Sequence, residues 1–138
     1  MSLHHPKIQS FVLSIALLTA PSIAVQVAPA IANPAAQVVQ RNTSDIDAAI
    51  AEGDLLFKEG SRESRRKAIG YFEKALGLAR SAKAQDKQSL SLVYLGYINN
   101  LLGEKQKSIE YYNQALPILR AVGNRSGEAT TLNNLGTG

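Results

Sequence analysis

A repeat with a period of forty residues dominates this sequence. Residues 67–98 match residues 107–138, beginning with KAIGYFEKAL against KSIEYYNQAL. The later matched pairs are Arg80 and Arg120, Leu92 and Leu132, Leu95 and Leu135, and Gly96 and Gly136. Self-similarity at such a period is the signature of stacked repeat proteins, in which neighbouring units bury each other's apolar faces. Such arrays mostly bind other chains, so the sequence predicts a binding protein rather than an enzyme.

The first unit has the periodicity of two helices, with apolar residues three or four positions apart. The first helix is predicted to run from Ser44, a residue suited to N-capping, to Gly60, a C-terminal stop. A connection at 61–66 follows, and the second helix ends near residues 82–83. Glycines of the first helix match later glycines at an offset of forty-three, which places about three extra residues in this connection.

The second unit has equally clear helix boundaries. Asp86 is predicted to cap its first helix and Gly103 to end it. Only Glu104 separates this helix from the next, and so short a break makes two helices antiparallel and adjacent. Pro117 is expected to cause a kink or early fraying of the second helix, which ends at Gly123.

A further helix is predicted to begin near Gly127. The repeat region, 45–138, thus divides into units at 45–84 and 85–124 and a partial unit at 125–138. The predicted fold class is all-α, an antiparallel helix-hairpin solenoid of about two and a half repeats. Small residues such as Gly96 are predicted to lie where the two helices of a unit cross, because a missing side chain lets backbones approach closely.

Residues 1–32 have the composition of a secretory signal peptide. Lys7 precedes an apolar core at 11–20, and Ala30-Ile31-Ala32 provides a small-x-small cleavage site in a bacterial style. Cleavage there leaves residues 33–44 as a flexible linker and places the repeats outside the cytoplasm, in the periplasm or secreted. The alternative is an uncleaved membrane anchor, because residues 8–32 are long enough to span a bilayer although prolines interrupt them.

Composition excludes several kinds of chemistry. The chain has no cysteine, so disulfides, thiolate catalysis and cysteine-ligated metals are excluded. Both histidines, His4 and His5, lie in the leader, which removes imidazole from a mature chain. The net charge of +4 is too mixed in sign for a nucleic-acid binder. No catalytic residue, metal site, cofactor or small-molecule substrate is therefore predicted.

The second unit resembles the tetratricopeptide repeat. The residues that carry the resemblance are Leu92, Leu95, Gly96, Ser108, Tyr112 and Ala115. The departures are Asn99 where the family often has Tyr, Ser108 where it has Ala, and Arg120 where it often has Pro. The period of forty and the run at 126–136 are similar to the longer repeats of kinesin-light-chain type, which also occur in secreted bacterial proteins. The resemblance implies a right-handed α-superhelix.

The resemblance also implies a binding surface. In tetratricopeptide proteins the first helix of each unit, helix A, lines a concave groove that holds peptides or partner surfaces. Carried over by position, the partner-binding residues are Val93, Tyr97, Asn100, Asn133 and Asn134. Asparagine amides both donate and accept hydrogen bonds, and tyrosine combines apolar area with a polar tip. The other interpretation is that Tyr97 packs between A helices and the asparagines are only solvated.

Three functions remain open at this point. The first is an exported, non-catalytic scaffold that binds a protein or peptide. The second is the N-terminal fragment of a longer protein with a caspase-like (CHAT) peptidase domain downstream, because the sequence stops inside its third unit. The third is a membrane-anchored assembly factor held by an uncleaved leader.

The basic run at 62–67 is either a contact for acidic surfaces or a solvated helix start.

Overall fold

The computed structural model describes residues 33–137, which form five α-helices and no strand. The helices are α1 (Pro34–Glu59), α2 (Arg62–Ser81), α3 (Gln85–Leu102), α4 (Lys105–Ala121) and α5 (Arg125–Gly136). The all-α class is thereby confirmed, whereas the predicted signal peptide at 1–32 lies outside the described residues. Contacts divide the chain into Met1–Gln37 and Val38–Gly138, and the packing below lies within the second unit.

Helix α1 begins earlier than the sequence pattern predicts. Its first residue is Pro34 rather than one that follows Ser44, so most of the segment predicted as a flexible linker, 33–44, is helical. Asn33 Oδ1 accepts a hydrogen bond from the Ala35 amide at 3.2 Å, and proline suits the first helical position because its missing donor is not needed there. Every side chain in the segment is exposed. A helix without an apolar face leaves no periodic signal in the sequence.

Helix α2 also begins earlier than predicted. It has 20 residues against 17 in α4, and this difference of three accounts for the shifted glycine register. The predicted connection at 61–66 is therefore wrong, because Gly60 and Ser61 alone join α1 to α2. The Ser61 hydroxyl caps α2 by accepting from the Ser64 amide at 2.9 Å. The extra residues lengthen a helix and do not form a loop.

Two side-chain contacts fix the direction of α2 relative to α3. At the start of α2, Arg62 Nη2 donates to the Leu102 carbonyl at the end of α3 at 3.2 Å. At the other end, Gln88 Nε2 near the start of α3 donates to the Ala79 carbonyl of α2, also at 3.2 Å. The two helices are therefore antiparallel. The extra turn of α2 gives one terminal carbonyl of α3 a donor that the helix itself lacks.

Helices α1 to α4 each end in a left-handed turn. The residues with positive φ are Gly60 (77°), Lys83 (55°), Gly103 (86°) and Gly123 (70°). After the last three, the next amide returns to a carbonyl five residues earlier at 2.9 Å, as in a Schellman motif. The predicted helix ends at these positions are confirmed. The predicted cap at Asp86 is wrong, because Ala84 occupies the N-cap and Asp86 lies in the first turn of α3.

Lys83 is the non-glycine residue with positive φ in the described part of the chain. Replacing it with glycine is expected to raise the free energy of unfolding by about 0.5–1 kcal/mol, because the left-handed conformation strains an L side chain by more than glycine loses in chain entropy. Gly123→Lys, the reciprocal change forty residues later, is expected to lower it by a similar amount. Urea unfolding of the full chain measures both, and a less stable Lys83→Gly variant would contradict the expectation.

Pro117 does not interrupt α4, which continues to Ala121, so the predicted early fraying is wrong. Proline removes the amide that would bond to the Asn113 carbonyl. Both residues are exposed, so the carbonyl that lacks this partner lies on the solvent side of the helix rather than in the core.

Each complete hairpin is closed by an aromatic ring packed on a glycine, an arrangement here called a glycine socket. A Cβ atom on Gly53 of α1 would lie 2.9 Å from Phe72 Cε2 of α2. A Cβ on Gly96 of α3 would lie 2.6 Å from Tyr112 Cε1 of α4. Both rings are buried. The predicted crossing of helices at small residues is confirmed at both sites, and α2–α3, α3–α4 and α4–α5 are packed neighbours as well.

Candidate partner-binding site

The five predicted partner-binding residues lie on two helices. Val93, Tyr97 and Asn100 belong to α3, and Asn133 and Asn134 belong to α5. Tyr97 and Asn133 are exposed, whereas the other three are half-buried. The exposed fraction of Tyr97 is 38%, a large value for an aromatic side chain. The set therefore contains both accessible side chains and side chains engaged in packing.

Tyr97 is held in place by an aromatic residue that the sequence prediction did not include. Its ring meets the Phe57 ring of α1 edge-on, with centroids 5.7 Å apart and planes at 60°. Such edge-to-face pairs are favourable because the positive edge of one ring meets the negative face of the other. Tyr97 thus packs against a neighbouring helix and remains partly exposed, and its role in partner binding stays a prediction.

Tyr94, one turn before Tyr97, is structural. Its ring stacks on Phe72 of α2 with centroids 4.4 Å apart and planes at 9°, and its hydroxyl donates to Asp54 Oδ1 of α1 at 3.4 Å. Burial raises the pKa of Tyr94, and the negative charge of Asp54 raises it further. The phenol therefore stays protonated at neutral pH and joins three helices.

Asn134 occupies the position in α5 that Tyr94 occupies in α3. Its Nδ2 donates to the Tyr112 hydroxyl at 3.1 Å, and Tyr112 is the repeat equivalent of Phe72. The first and second units thus meet through an aromatic stack, whereas the second and third units meet through an amide–phenol hydrogen bond. Burial raises the pKa of Tyr112, and the hydrogen bond from Asn134 partly opposes that increase. The Asn134 amide is already engaged within the chain, whereas Asn133 is exposed beside it.

Two ion pairs lie near this surface, one between α3 and α1 and one within α1. Lys87 Nζ lies 2.6 Å from Asp47 Oδ1, and Lys58 Nζ lies 2.6 Å from Asp54 Oδ2. Lys58 and Lys87 are therefore each matched by a carboxylate. Exposed pairs of this kind contribute little to stability. The charges of these two pairs offset each other, so they do not give the surface a field of one sign.

The basic run at 62–67 forms the first turns of α2. Lys67 pairs with Glu63 at 2.8 Å, and Arg62 donates to the Leu102 carbonyl. Both contacts are intramolecular, and the two interpretations of the run stay predictions. In the described part of the chain, no group of three or more acidic, histidine or cysteine side chains is arranged to hold a metal ion. Over the same residues, no helix combines the length and apolarity needed to cross a bilayer.

No protein-family model matches this chain, and no curated protein matches it. The tetratricopeptide resemblance therefore stays a prediction from the sequence pattern. The arrangement of the helices agrees with it only at the level of packed helical hairpins.

Proposed function

We propose that this chain is an exported, non-catalytic scaffold of tetratricopeptide type that binds a protein or peptide. In this proposal the hairpins continue one another as a right-handed solenoid, and α1, α3 and α5 are the A helices that line the binding surface. The repeat of forty residues and the two glycine sockets support the architecture. The composition of residues 1–32 supports export.

The contact between Phe57 and Tyr97 is the observation that carries the binding function. Phe57 restricts the Tyr97 ring on one side, and 38% of the tyrosine is accessible. A pre-positioned aromatic ring costs little conformational entropy when a ligand covers it. Asn100 lies one turn further along α3 and is half-buried, with its amide as a source of backbone-type hydrogen bonds. The exposed Leu101 adds apolar area. These groups suit an extended peptide with apolar side chains.

Replacing Tyr97 with alanine is expected to weaken binding of a selected peptide by about tenfold or more, because aromatic anchors supply much of the energy of such interfaces. The peptides come from a displayed random library panned on the full chain, and fluorescence anisotropy gives their affinities. Tyr71→Ala is the matched control, since Tyr71 has nearly the same exposure, 37%, but lies on α2.

The control is expected to keep its affinity within about twofold. Equal loss in the two variants, or failure of the library to yield any binder, would contradict the proposed surface. Hydrolysis of a bound peptide by the wild-type chain would contradict its non-catalytic character.

A further inference from the structure

A cleft of about 450 Å³ lies between α1 and α2. Leu56 of α1 forms one wall, and the remaining lining comes from a single face of α2. The residues of that face are Lys67, Gly70, Tyr71 and Lys74. The volume is in the range of small-ligand sites, roughly 300–1,000 Å³. Neither Phe57 nor Tyr97 lines this cleft, so it is separate from the proposed peptide-binding surface.

A glycine opens the cleft on the α2 side. Gly70 is three residues after Lys67 and four before Lys74, so it lies between the two lysines on the helix surface. It is exposed, and an added Cβ would meet no atom within 4 Å. Glycine is unfavourable in the interior of a helix, and no close contact among the described residues requires it here. The missing side chain leaves a gap whose floor is the helix backbone.

Two lysines border this gap. Lys67 and Lys74 are two helical turns apart, about 10 Å along the axis. Lys67 pairs with Glu63 at 2.8 Å, but the glutamate side chain is 79% exposed, so the pair is a weak one. Lys74 pairs with no carboxylate in the part of the chain that the structure describes. The adjacent Glu73 accepts instead from the Tyr111 hydroxyl of α4 at 3.3 Å. The cleft thus has one unmatched positive charge beside an apolar wall.

This combination of residues is not part of the repeat. Forty residues later, the equivalents of Gly70 and Lys74 are Glu110 and Gln114. In the register of the helix glycines, forty-three residues later, Leu56 corresponds to Asn99. The second unit therefore has a carboxylate in place of the gap, and amides in place of the free ammonium group and the leucine wall. Packing between units does not account for the residues that line the cleft.

We propose that this cleft binds a small amphiphile with a single negative charge, a monocarboxylate on an aliphatic chain. The chain lies over Gly70 and against Leu56, where burial of its apolar surface favours binding. The carboxylate meets the Lys74 ammonium group. A monoanion matches the one positive charge that lacks a partner, whereas a dianion would require Lys67 to give up Glu63. The ligand is held and not converted, so the proposal adds a site to the scaffold without adding catalysis.

Sodium octanoate is the probe for this site, titrated into the isotope-labelled full chain and followed by NMR. Saturable shifts are expected at the Leu56 methyl groups and the Gly70 amide, with a dissociation constant of about 1 mM or below. The Tyr97 amide is expected not to shift. 1-Octanol has the same chain without the charge and is expected to bind about fivefold more weakly, because an exposed ion pair contributes a factor of this size at most.

Gly70→Glu fills the gap with the residue of the second unit and is expected to weaken octanoate binding by about tenfold or more. Gly77→Glu is the matched control, because Gly77 is also an exposed glycine of α2 with no atom within 4 Å of an added Cβ. The two changes raise helix propensity and alter the net charge equally, and the control is expected to keep its octanoate affinity within about twofold.

Lys74→Gln is expected to weaken octanoate binding about fivefold and to leave 1-octanol binding unchanged, whereas Lys107→Gln on α4 is expected to change neither. Absence of saturable shifts at about 10 mM octanoate would overturn the proposal. Equal losses in the two glycine variants would overturn it as well, and so would equal affinities for octanoate and 1-octanol. Binding to phosphatidylglycerol vesicles without binding to monomeric octanoate would also overturn it, because the surface would then be a membrane contact.

Discussion

Replacing Phe72 with alanine is expected to lower the free energy of unfolding by about 3–5 kcal/mol, the usual cost of removing a buried aromatic ring. Phe72 is 0% exposed and contacts the helices on both sides of α2, which are α1 and α3. Its edge fills the socket at Gly53, and its face stacks on Tyr94 at 4.4 Å. Truncation therefore opens a cavity between α1 and α2 and also removes the platform on which α3 rests.

Urea unfolding of the full chain, followed by circular dichroism at 222 nm, measures this loss. Tyr71→Ala is the control, because Tyr71 is the adjacent aromatic residue on α2 but is 37% exposed. Its truncation is expected to change the free energy of unfolding by about 1 kcal/mol or less. Similar losses in the two variants would show that the socket ring has no special part in joining the hairpins.

The repeat period predicts the packing of the fold because that packing is itself periodic. Gly96 and Tyr112 meet in the structure as the aligned repeats require, and Gly53 meets Phe72 in the same way. Helix ends at Gly103 and Gly123 are equally predictable, since a left-handed turn favours glycine. Lys83 adopts the same left-handed turn although it is not a glycine. Its alignment with Gly123, forty residues later, is what predicts a turn at this position.

The helix starts are less predictable, and the reasons are local. The periodicity of apolar residues indicates a helix only where one face of that helix is buried, and none of residues 34–45 is buried. At Ser61 the cap lies three residues before Ser64, whose buried hydroxyl donates to the Ser61 carbonyl at 3.0 Å. The charged run at 62–67, most of which was predicted to be a connection, thus forms the start of α2. The hydroxyl of Ser61, a residue suited to N-capping, would have indicated the start of α2. The charge of the run and the spacing of apolar residues did not.

The contacts made by the candidate residues were not predictable from the sequence. The family resemblance predicts Tyr97 as a binding residue, and that stays a prediction, whereas its contact with Phe57 comes from the structure alone. Asn134 was predicted as a ligand-binding amide, but it occupies the position of Tyr94 and bonds to Tyr112. Aligning the repeats links Tyr94 with Asn134, and the same alignment could have identified both as junction residues.

Replacing Gly96 with valine is expected to lower the free energy of unfolding by about 2–3 kcal/mol, as overpacking of a filled core usually does. The first added atom would lie 2.6 Å from Tyr112 Cε1, well inside contact distance. Tyr112 is 1% exposed, and its hydroxyl accepts a hydrogen bond from Asn134, so moving the ring also disturbs the junction with α5. Valine has a higher helix propensity than glycine, which recovers only a small part of this loss.

Gly136→Val is the control for this change, because the two glycines are equivalent in the repeat but a Cβ on Gly136 meets nothing within 4 Å. Its effect on urea unfolding is expected to stay within about 0.5 kcal/mol. The double variant Gly96→Val with Tyr112→Ala is expected to be more stable than the sum of its single changes predicts, since the valine occupies part of the space that the ring leaves. Strictly additive losses of unfolding free energy would mean that the valine acts on the helix backbone and not on the ring. The socket would then not explain why glycine is required at this position.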